Sequence, residues 1–264
     1  MSTAYPEINE VIKYIQDHID EPLSLDRLAR YAAYSPYHFT RIFKERVGVP
    51  PHYYISSVRL QKAKNLLLTT ELSVRDIGLD VGQQSLGTFT TRFTERVGVS
   101  PAQFRHSRQQ VGNHLYSLQK LMDWKNNSPP GHTGNLIQGT IHAKKPFQGV
   151  ILVGLFTKPI PEGFPPYGTL LSSLGDFCFQ NVKPGVYYLM ATAISWEMTA
   201  TDILLPHTTL RAKSGKAVIV KPNAHTPHQQ LTLHEPRLDD PPILISLPLL
   251  MKNFLIRISQ HSNL

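Results

Sequence analysis

The chain has 264 residues, a formal net charge of +8 and a hydrophobic fraction of 41%. The length allows two domains of ordinary size, and the hydrophobic fraction excludes a disordered chain. The positive charge favours a polyanionic partner, whereas the single cysteine, Cys178, excludes an internal disulfide and suits a reducing compartment. Because no apolar run is long enough to cross a bilayer and the N-terminus lacks a signal-peptide pattern, we expect a cytoplasmic protein without a membrane partner.

Apolar residues recur at helical spacing up to about residue 125. Within this part, residues 43–49 and 93–99 follow the same pattern, Phe-x-Glu-Arg-Val-Gly-Val, which indicates a duplicated unit. Serine in front of each unit, at Ser24 and Ser73, is a favourable residue to begin a helix, and the glycine of each pattern is a favourable residue to end one. Two short helices with a tight turn are typical of a helix-turn-helix, so the sequence predicts two of them.

A longer segment, residues 52–68, follows Pro50 and Pro51 and has the pattern of a helix that joins the two units. A rigid joint would fix the distance between the second helices of the units. Both of these helices could then enter successive major grooves on one face of DNA, about 34 Å apart.

Residues 8–108 closely resemble the AraC/XylS family of bacterial transcription regulators. The residues that carry the resemblance are Arg59, Leu60, Ala63, Leu66, Leu67, Asp76, Ile77, Val81, Gly82 and the run 93–105. The resemblance implies a sequence-specific transcription regulator with double-stranded DNA as its partner. RNA polymerase is a further candidate partner.

The resemblance also implies which side chains contact DNA, because family members face base edges with residues early in the second helix of each unit. Base contacts are implied for Tyr37, Thr40 and Arg41 in the first unit and for Leu86, Gly87, Thr88 and Thr91 in the second. Phosphate contacts are implied for Lys44, Arg46, Arg92, Arg96 and Arg105. Arg46 and Arg96 have an alternative place at solvated helix ends beside Glu45 and Glu95.

The second unit departs from the family pattern at two places. Gln83 follows Val81 and Gly82, where members usually carry an aromatic or apolar residue, so it either weakens the local core or faces the DNA. Leu86 and Gly87 stand where members offer long polar side chains. We therefore expect the first unit to recognise bases and the second mainly to clamp the DNA through backbone, methyl packing and DNA shape.

Residues 126–131, Asn-Asn-Ser-Pro-Pro-Gly, predict a break, and most of the 21 prolines follow it. The short apolar or alternating runs beyond the break are 136–143, 150–157, 177–182, 186–194, 217–220 and 231–234. They predict an antiparallel sandwich or barrel, and residues 134–220 resemble a transthyretin-like or carboxypeptidase-regulatory sandwich. The predicted fold is thus multidomain: an all-α double helix-turn-helix domain at 1–110, a linker at 111–133 and an all-β sandwich domain at 134–264.

In this family the domain that does not bind DNA usually senses a small-molecule effector or mediates association, and here it follows the DNA-binding domain, the less usual order. Monomer and homodimer both stay open. Candidate pocket residues, with surface loop or sandwich core as the alternative, are Phe164, Tyr167, Trp196, Glu197 and His207. The apolar run 241–251, broken by proline, could pack on the sandwich, form a domain interface or support a dimer.

We expect no enzyme and no cofactor, because no nucleophile, phosphate-binding or dinucleotide motif is present. Cys178 alternates within a predicted strand and fits a packed thiol better than a nucleophile. His225, His228 and His234 have a loosely metal-like spacing, on which an enzymatic hypothesis would depend. The other alternative is a ligand-independent architectural DNA-binding protein whose β-domain makes only protein contacts.

Overall fold

The computed structural model describes residues 5–83, 85–121, 134–222 and 224–261. The chain forms two compact units: one consists of Met1–Arg105 and Arg237–Leu244, and the other of His106–Pro236 and Ile245–Leu264. The chain therefore leaves the first unit after Arg105, returns to it at Arg237 and leaves it again after Leu244.

The first unit is helical, as predicted. Its helices are α1 (Pro6–Asp17), α2 (Leu25–Tyr31), α3 (Pro36–Val47), α4 (Pro51–Thr69), α5 (Val74–Asp80), α6 (Leu86–Val97) and α7 (Pro101–His106), the last of which ends at the unit boundary. Helices α2 and α3 form the first helix-turn-helix, α5 and α6 form the second, and α4 joins them.

The helix ends have the predicted causes. The side-chain oxygens of Ser24 and Ser73 each accept a hydrogen bond from the backbone N–H three residues further on, at 3.2 and 3.1 Å. Helices α3 and α6 end at Gly48 and Gly98, whose φ angles of 93° and 90° lie in the left-handed region that favours glycine. The repeated glycine thus ends each second helix with the same local geometry.

Three aromatic rings form the core of each helix-turn-helix. Their neighbouring centroids lie 5.5 to 5.8 Å apart, in Phe39, Phe43 and Tyr54 of the first and in Phe89, Phe93 and Phe104 of the second. The third ring of each set comes from α4 or α7, so each core attaches a second helix to the helix that follows it. The duplication in the sequence is therefore a duplication of the core.

Two sheets make up most of the second unit. The strands are β1 (Ile137–Ala143), β2 (Gly149–Phe156), β3 (Tyr167–Leu171), β4 (Gly175–Phe179), β5 (Gly185–Ser195), β6 (Leu210–Lys213), β7 (Val218–Val220) and β8 (Gln229–Leu233). One sheet has the order β4-β1-β8, and the other has the order β3-β2-β5-β6, with β7 paired to β5. The inner faces share one core in which, for example, Ile137 and Ile141 pack with Ile151, Val153 and Leu189, which confirms the predicted sandwich.

One strand pair corrects the expectation of a purely antiparallel sandwich. Strands β1 and β8 are parallel, with Gly139 opposite Gln229 and Ala143 opposite Leu233. A parallel pair needs a long crossover, and the chain between β1 and β8, which includes the whole second sheet, provides it.

Helices in the second unit depart from the predicted all-β domain and its linker. Helix α8 (Arg108–Leu121) covers the first part of the segment predicted as a linker, and residues 122–133 lie outside the described residues. Helix α9 is Ala200–Leu204, and helix α10 is Leu247–His261. Helix α10 forms although Pro248 lies in it, because proline at the second position of a helix replaces an N–H that has no partner within the helix.

Arg257 of α10 donates a hydrogen bond to the Gly168 carbonyl oxygen of β3 at 3.1 Å, which attaches this helix to the second sheet. Strands β3 and β6 were not among the predicted runs. In the part of the chain that the structure describes, no helix combines the length and apolar character needed to cross a membrane.

Candidate nucleic-acid interface

Helix α3 has a buried face and an exposed face that match the predicted division of its residues. Phe39, Ile42 and Phe43 are fully buried. Tyr37 is 84% exposed, an unusual fraction for a large aromatic side chain, and Arg41 is also exposed. Tyr37 and Arg41, two of the predicted base-contacting residues, therefore lie on the outer face of α3, away from its packed side.

Among the described residues, Arg41 makes two weak local contacts. Its Nη2 atom lies 3.3 Å from His38 Nδ1, and its Nη1 atom lies 4.0 Å from Glu45 Oε2. The side chain is 54% exposed, so screening by water makes this ion pair weak. Thr40 differs, since its hydroxyl donates to the Pro36 carbonyl oxygen at 2.8 Å. This leaves the Thr40 methyl group and the Arg41 guanidinium as the parts that can meet a ligand.

Helix α6 exposes smaller groups. Leu86 is 47% exposed, and Gly87, Thr88 and Thr91 are exposed as well. The helix begins at Ser85, whose Oγ accepts a hydrogen bond from the Thr88 N–H at 3.5 Å. The second helix-turn-helix thus exposes a leucine, the backbone of a glycine and hydroxyl groups, where the first exposes a tyrosine and an arginine.

Gln83, the departure from the family pattern, has a partner on α6. Its Oε1 accepts a hydrogen bond from Arg92 Nη1 at 3.1 Å. Both side chains line a groove of about 470 Å³. The other lining residues are Leu23, His52, Ile55, Ser56, Arg59, Gly82, Ser85 and Thr88. Gln83 therefore orients a cationic side chain at a groove lined by both polar and apolar residues.

Arg59 and Arg92 contribute differently to this groove. Arg59 Nε and Nη2 donate to the backbone carbonyl oxygens of Ile19 and Glu21, at 3.4 and 3.0 Å, so its guanidinium fastens the chain after α1 to α4. Arg92 is exposed and bonds to a neutral amide. Arg92 thus presents an exposed positive charge at this groove.

Three of the arginines predicted to contact phosphate make hydrogen bonds or ion pairs within the helical part of the chain. Arg96 is only 8% exposed, donates to the hydroxyls of Ser56 and Ser57 in α4, and has its Cζ 4.5 Å from the Tyr53 ring centroid. Its place on the Phe93 and Val97 side of α6 was visible in the spacing, because residues three and four apart share a helix face.

The other two arginines are also engaged within the first unit. Arg46 pairs with Asp239 at 2.9 Å and donates to Asn9 Oδ1 at 3.3 Å. Arg105 donates to the carbonyl oxygens of Leu67, at 3.3 Å, and of Leu72, near the end of α4. Of the five predicted phosphate-contacting residues, Lys44 and Arg92 lie exposed on the second helices.

The predicted ligand-pocket residues occupy loops and strand ends of the second unit. Phe164 is 51% exposed in the β2–β3 connection, Trp196 and Glu197 follow β5, and His207 follows α9. Tyr167 begins β3, where its hydroxyl accepts from the Lys183 N–H at 2.9 Å. This hydrogen bond gives Tyr167 a structural role that its predicted loop position did not suggest.

A cavity of about 340 Å³ in the second unit has a different lining. Its residues are Gly134, Asn135, Leu136, Gln138, Ala224, His225, Thr226 and His228. His228 Nε2 lies 2.9 Å from Thr140 Oγ1, and His234 Nδ1 lies 2.8 Å from the Glu235 carbonyl oxygen. Within the described ranges, no group of three or more His, Cys, Asp or Glu residues could hold a metal ion.

Comparison with known proteins places the similarity in the helical part. Residues 28–107 match the family described as a helix-turn-helix domain. Over 102 residues the chain is 35% identical to the transcriptional regulator Rob of Salmonella typhimurium, covering 39% of this chain and 35% of Rob. It is 32% identical over 113 residues to an HTH-type transcriptional regulator of Staphylococcus aureus, of which it spans only 15%.

A crystal structure of an AraC-type transcriptional regulator from Chromobacterium violaceum has 32% sequence identity, with 40% of this chain and 94% of that chain covered and a TM-score of 0.38. AarP, an HTH-type transcriptional activator of Providencia stuartii, is 36% identical over 100 residues, which cover 38% of this chain and 74% of AarP. On this similarity, together with the duplicated helix-turn-helix and its paired aromatic cores, the chain belongs to the AraC family of helix-turn-helix regulators.

Proposed function

We propose that this chain is a sequence-specific DNA-binding transcription regulator whose helices α3 and α6 enter successive major grooves of one DNA site. The observation that carries the proposal is the pairing of two aromatic cores, each of which fixes a second helix with an exposed outer face. An α-helix fits the major groove of B-DNA, where each base pair has a distinct pattern of donors and acceptors.

In this proposal the first helix-turn-helix recognises the bases. Arg41 donates to guanine O6 and N7 through two guanidinium nitrogens, for which its exposure and weak local contacts leave it free. The exposed ring of Tyr37 and the methyl group of Thr40 contact thymine methyl groups, and the Tyr37 hydroxyl can reach a phosphate.

The second helix-turn-helix mainly holds the DNA. Leu86, Gly87, Thr88 and Thr91 offer methyl groups, hydroxyls and close backbone approach, which discriminate bases less than long polar side chains do. Arg92, held by Gln83, contacts a phosphate there, and Lys44 does so at the first unit. In this proposal, Arg46, Arg96 and Arg105 stabilise the fold, since each is bonded to other residues of the compact helical unit.

The second unit of the fold, with its own sandwich core, is assigned to ligand sensing or association. A thermal-shift screen of the full chain against small-molecule libraries tests the sensing role, since a bound effector raises the melting temperature. If no compound shifts it, the ligand-independent architectural role becomes the better assignment for this unit.

Selection of genomic DNA fragments with the purified full-length chain tests the proposed function. We expect enrichment of sites with two conserved boxes whose centres lie about 10 to 10.5 bp apart, one turn of the DNA helix. Affinity for the enriched site should exceed affinity for scrambled DNA of equal length by at least about a thousandfold at physiological salt. Equal affinity for both DNAs would refute sequence-specific binding and leave only electrostatic attraction.

A further inference from the structure

The segment Arg237–Leu244, here called the strap, belongs to the first unit although it follows the sandwich strands in the sequence. It starts with a turn in which the Arg237 N–H donates to Asp240 Oδ2 at 2.7 Å. It ends with Ile243 and Leu244, which are 3% and 0% exposed. The strap is therefore packed into the helical unit.

An ion pair attaches the strap to the first helix-turn-helix. Asp239 Oδ2 lies 2.9 Å from Arg46 Nη1 in the last turn of α3, and the side chains are 34% and 21% exposed. Arg46 Nη2 also donates to Asn9 Oδ1 in α1 at 3.3 Å. Through Arg46, the strap is connected both to α1 and to the helix that carries Arg41.

A buried lysine attaches the strap to the joining helix. Lys64 of α4 is 1% exposed, and its Nζ donates to the carbonyl oxygens of Ile243 and Leu244 at 3.1 and 3.3 Å. The same Nζ lies 5.4 Å from the ring centroid of Phe104, a member of the second aromatic core. Lys64 thus lies where the strap, the joining helix and the core of the second helix-turn-helix meet.

Burial of Lys64 carries a free-energy cost at this contact. A buried ammonium without a carboxylate is costly, and here two carbonyl oxygens replace its water. Burial lowers the pKa of Lys64 to about 7. Lifting the strap would return water to Lys64, but it would expose Ile243 and Leu244 and remove the lysine donor from their carbonyl oxygens.

We propose that the strap is a conformational link that holds α3 and α4 in one arrangement and so sets the relative position of the two recognition helices, α3 and α6. The inference rests on the proposed DNA-binding function. Binding of two boxes at once requires a fixed spacing, and the joining helix alone fixes it less firmly than a joining helix with a docked strap. In the sequence the strap follows β8 and precedes α10, both of which belong to the other unit.

The test uses the full-length chain with Asp239→Asn and Lys64→Met. The first variant removes the ion pair at an accessible position, and the second removes the donor to the strap carbonyls. Glu235→Gln is the matched control for the first, because Glu235 pairs with Lys145 at 3.0 Å in the second unit and both side chains are largely exposed. Far-UV circular dichroism and melting curves establish that each variant is folded.

Affinity is measured for the selected two-box site and for the same site with the second box scrambled. We expect Asp239→Asn and Lys64→Met to lose about tenfold or more in affinity for two-box DNA and about twofold or less for one-box DNA. The reason is that the second recognition helix loses effective concentration at its box, while the contacts of each helix with its own box are kept. Glu235→Gln should match the wild type on both DNAs.

The strap proposal is overturned if Asp239→Asn binds two-box DNA as tightly as the wild type does, or if it loses the same factor in affinity on both DNAs. This holds even if Lys64→Met does not fold. A wild-type chain without preference for the selected site refutes the proposed function instead. The two failures are therefore distinguishable.

Discussion

The guanidinium carbon of Arg96 in α6 lies 4.5 Å from the ring centroid of Tyr53 in α4. The same guanidinium donates from Nη1 to Ser56 Oγ at 3.1 Å and from Nη2 to Ser57 Oγ. These contacts attach the second recognition helix directly to the joining helix. A charged residue of the repeated motif thus fixes the geometry of α6 against α4, which the proposed binding of two successive grooves requires.

Arg96→Ala should lower the free energy of unfolding by about 2 to 4 kcal/mol, because it removes a buried stem, its hydrogen bonds and its contact with Tyr53. Urea unfolding followed by circular dichroism measures the change. The control on the same helix is Arg92→Ala, whose exposed side chain should change stability by no more than about 0.5 kcal/mol. Equal destabilisation by the two substitutions would contradict the assignment of Arg96 to the core.

Arg92→Ala should weaken binding to all DNA sequences alike, because phosphates carry no sequence information. Removing one phosphate contact should reduce the slope of log affinity against log salt concentration by about 0.9. Fluorescence anisotropy over a range of salt concentrations gives this slope. An unchanged slope would show that Arg92 does not contact a phosphate, and Gln83→Ala then serves to ask whether the groove binds DNA at all.

Arg41→Ala should cost about 1 to 3 kcal/mol of binding free energy at one operator position and should relax the base preference there. The reason is loss of paired donors to one guanine, while its weak pair with Glu45 contributes little to stability. Binding to a set of operators, each with one base pair changed, locates the affected position. Lys44→Ala is the comparison, since an exposed lysine on the same helix should weaken every operator by a similar factor. A uniform loss with Arg41→Ala would reassign Arg41 to phosphate contact.

The helical half could be predicted because its signals are local. Ser24 and Ser73 begin helices through contacts three residues away, and Gly48 and Gly98 end them through their own backbone geometry. The sandwich strands were predictable where the runs are long, as in β2 and β5. Strands β3 and β6, with five and four residues, are too short for alternation to distinguish them from loops.

The remaining features depend on contacts between distant residues. Lys64 bonds to carbonyl oxygens 179 and 180 positions away, and nothing near it in the sequence identifies those partners. Its position between Leu60 and Leu67 on the buried side of α4 is a local signal for burial alone. Proline indicated a break in the run 241–251, but Pro248 falls in the first turn of α10, where it is tolerated. Tertiary packing decided these outcomes.

Stability should depend on pH through Lys64. Its pKa is about 7 in the folded chain and near 10.5 in the unfolded chain, so the unfolded chain binds more protons between these values and stability rises with pH across this window. From pH 7 to pH 9 the wild type should gain about 2 kcal/mol relative to Lys64→Met, which lacks the titrating group. Below about pH 6 the difference between the two chains should become constant, because the lysine is then protonated in both states.

Urea unfolding of both proteins at a series of pH values measures this difference, in which contributions from other titrating groups cancel. The nearby groups, two backbone carbonyls and the Phe104 ring, do not titrate. Lys62→Met is the control on the same helix, because ion pairs with Asp20 and Asp80 raise the pKa of Lys62 against the opposing effect of burial. Its difference from the wild type should therefore stay constant between pH 7 and pH 9. A constant difference for Lys64→Met over the same window would mean that the ammonium keeps its proton in the folded chain, with the two strap carbonyls compensating its burial.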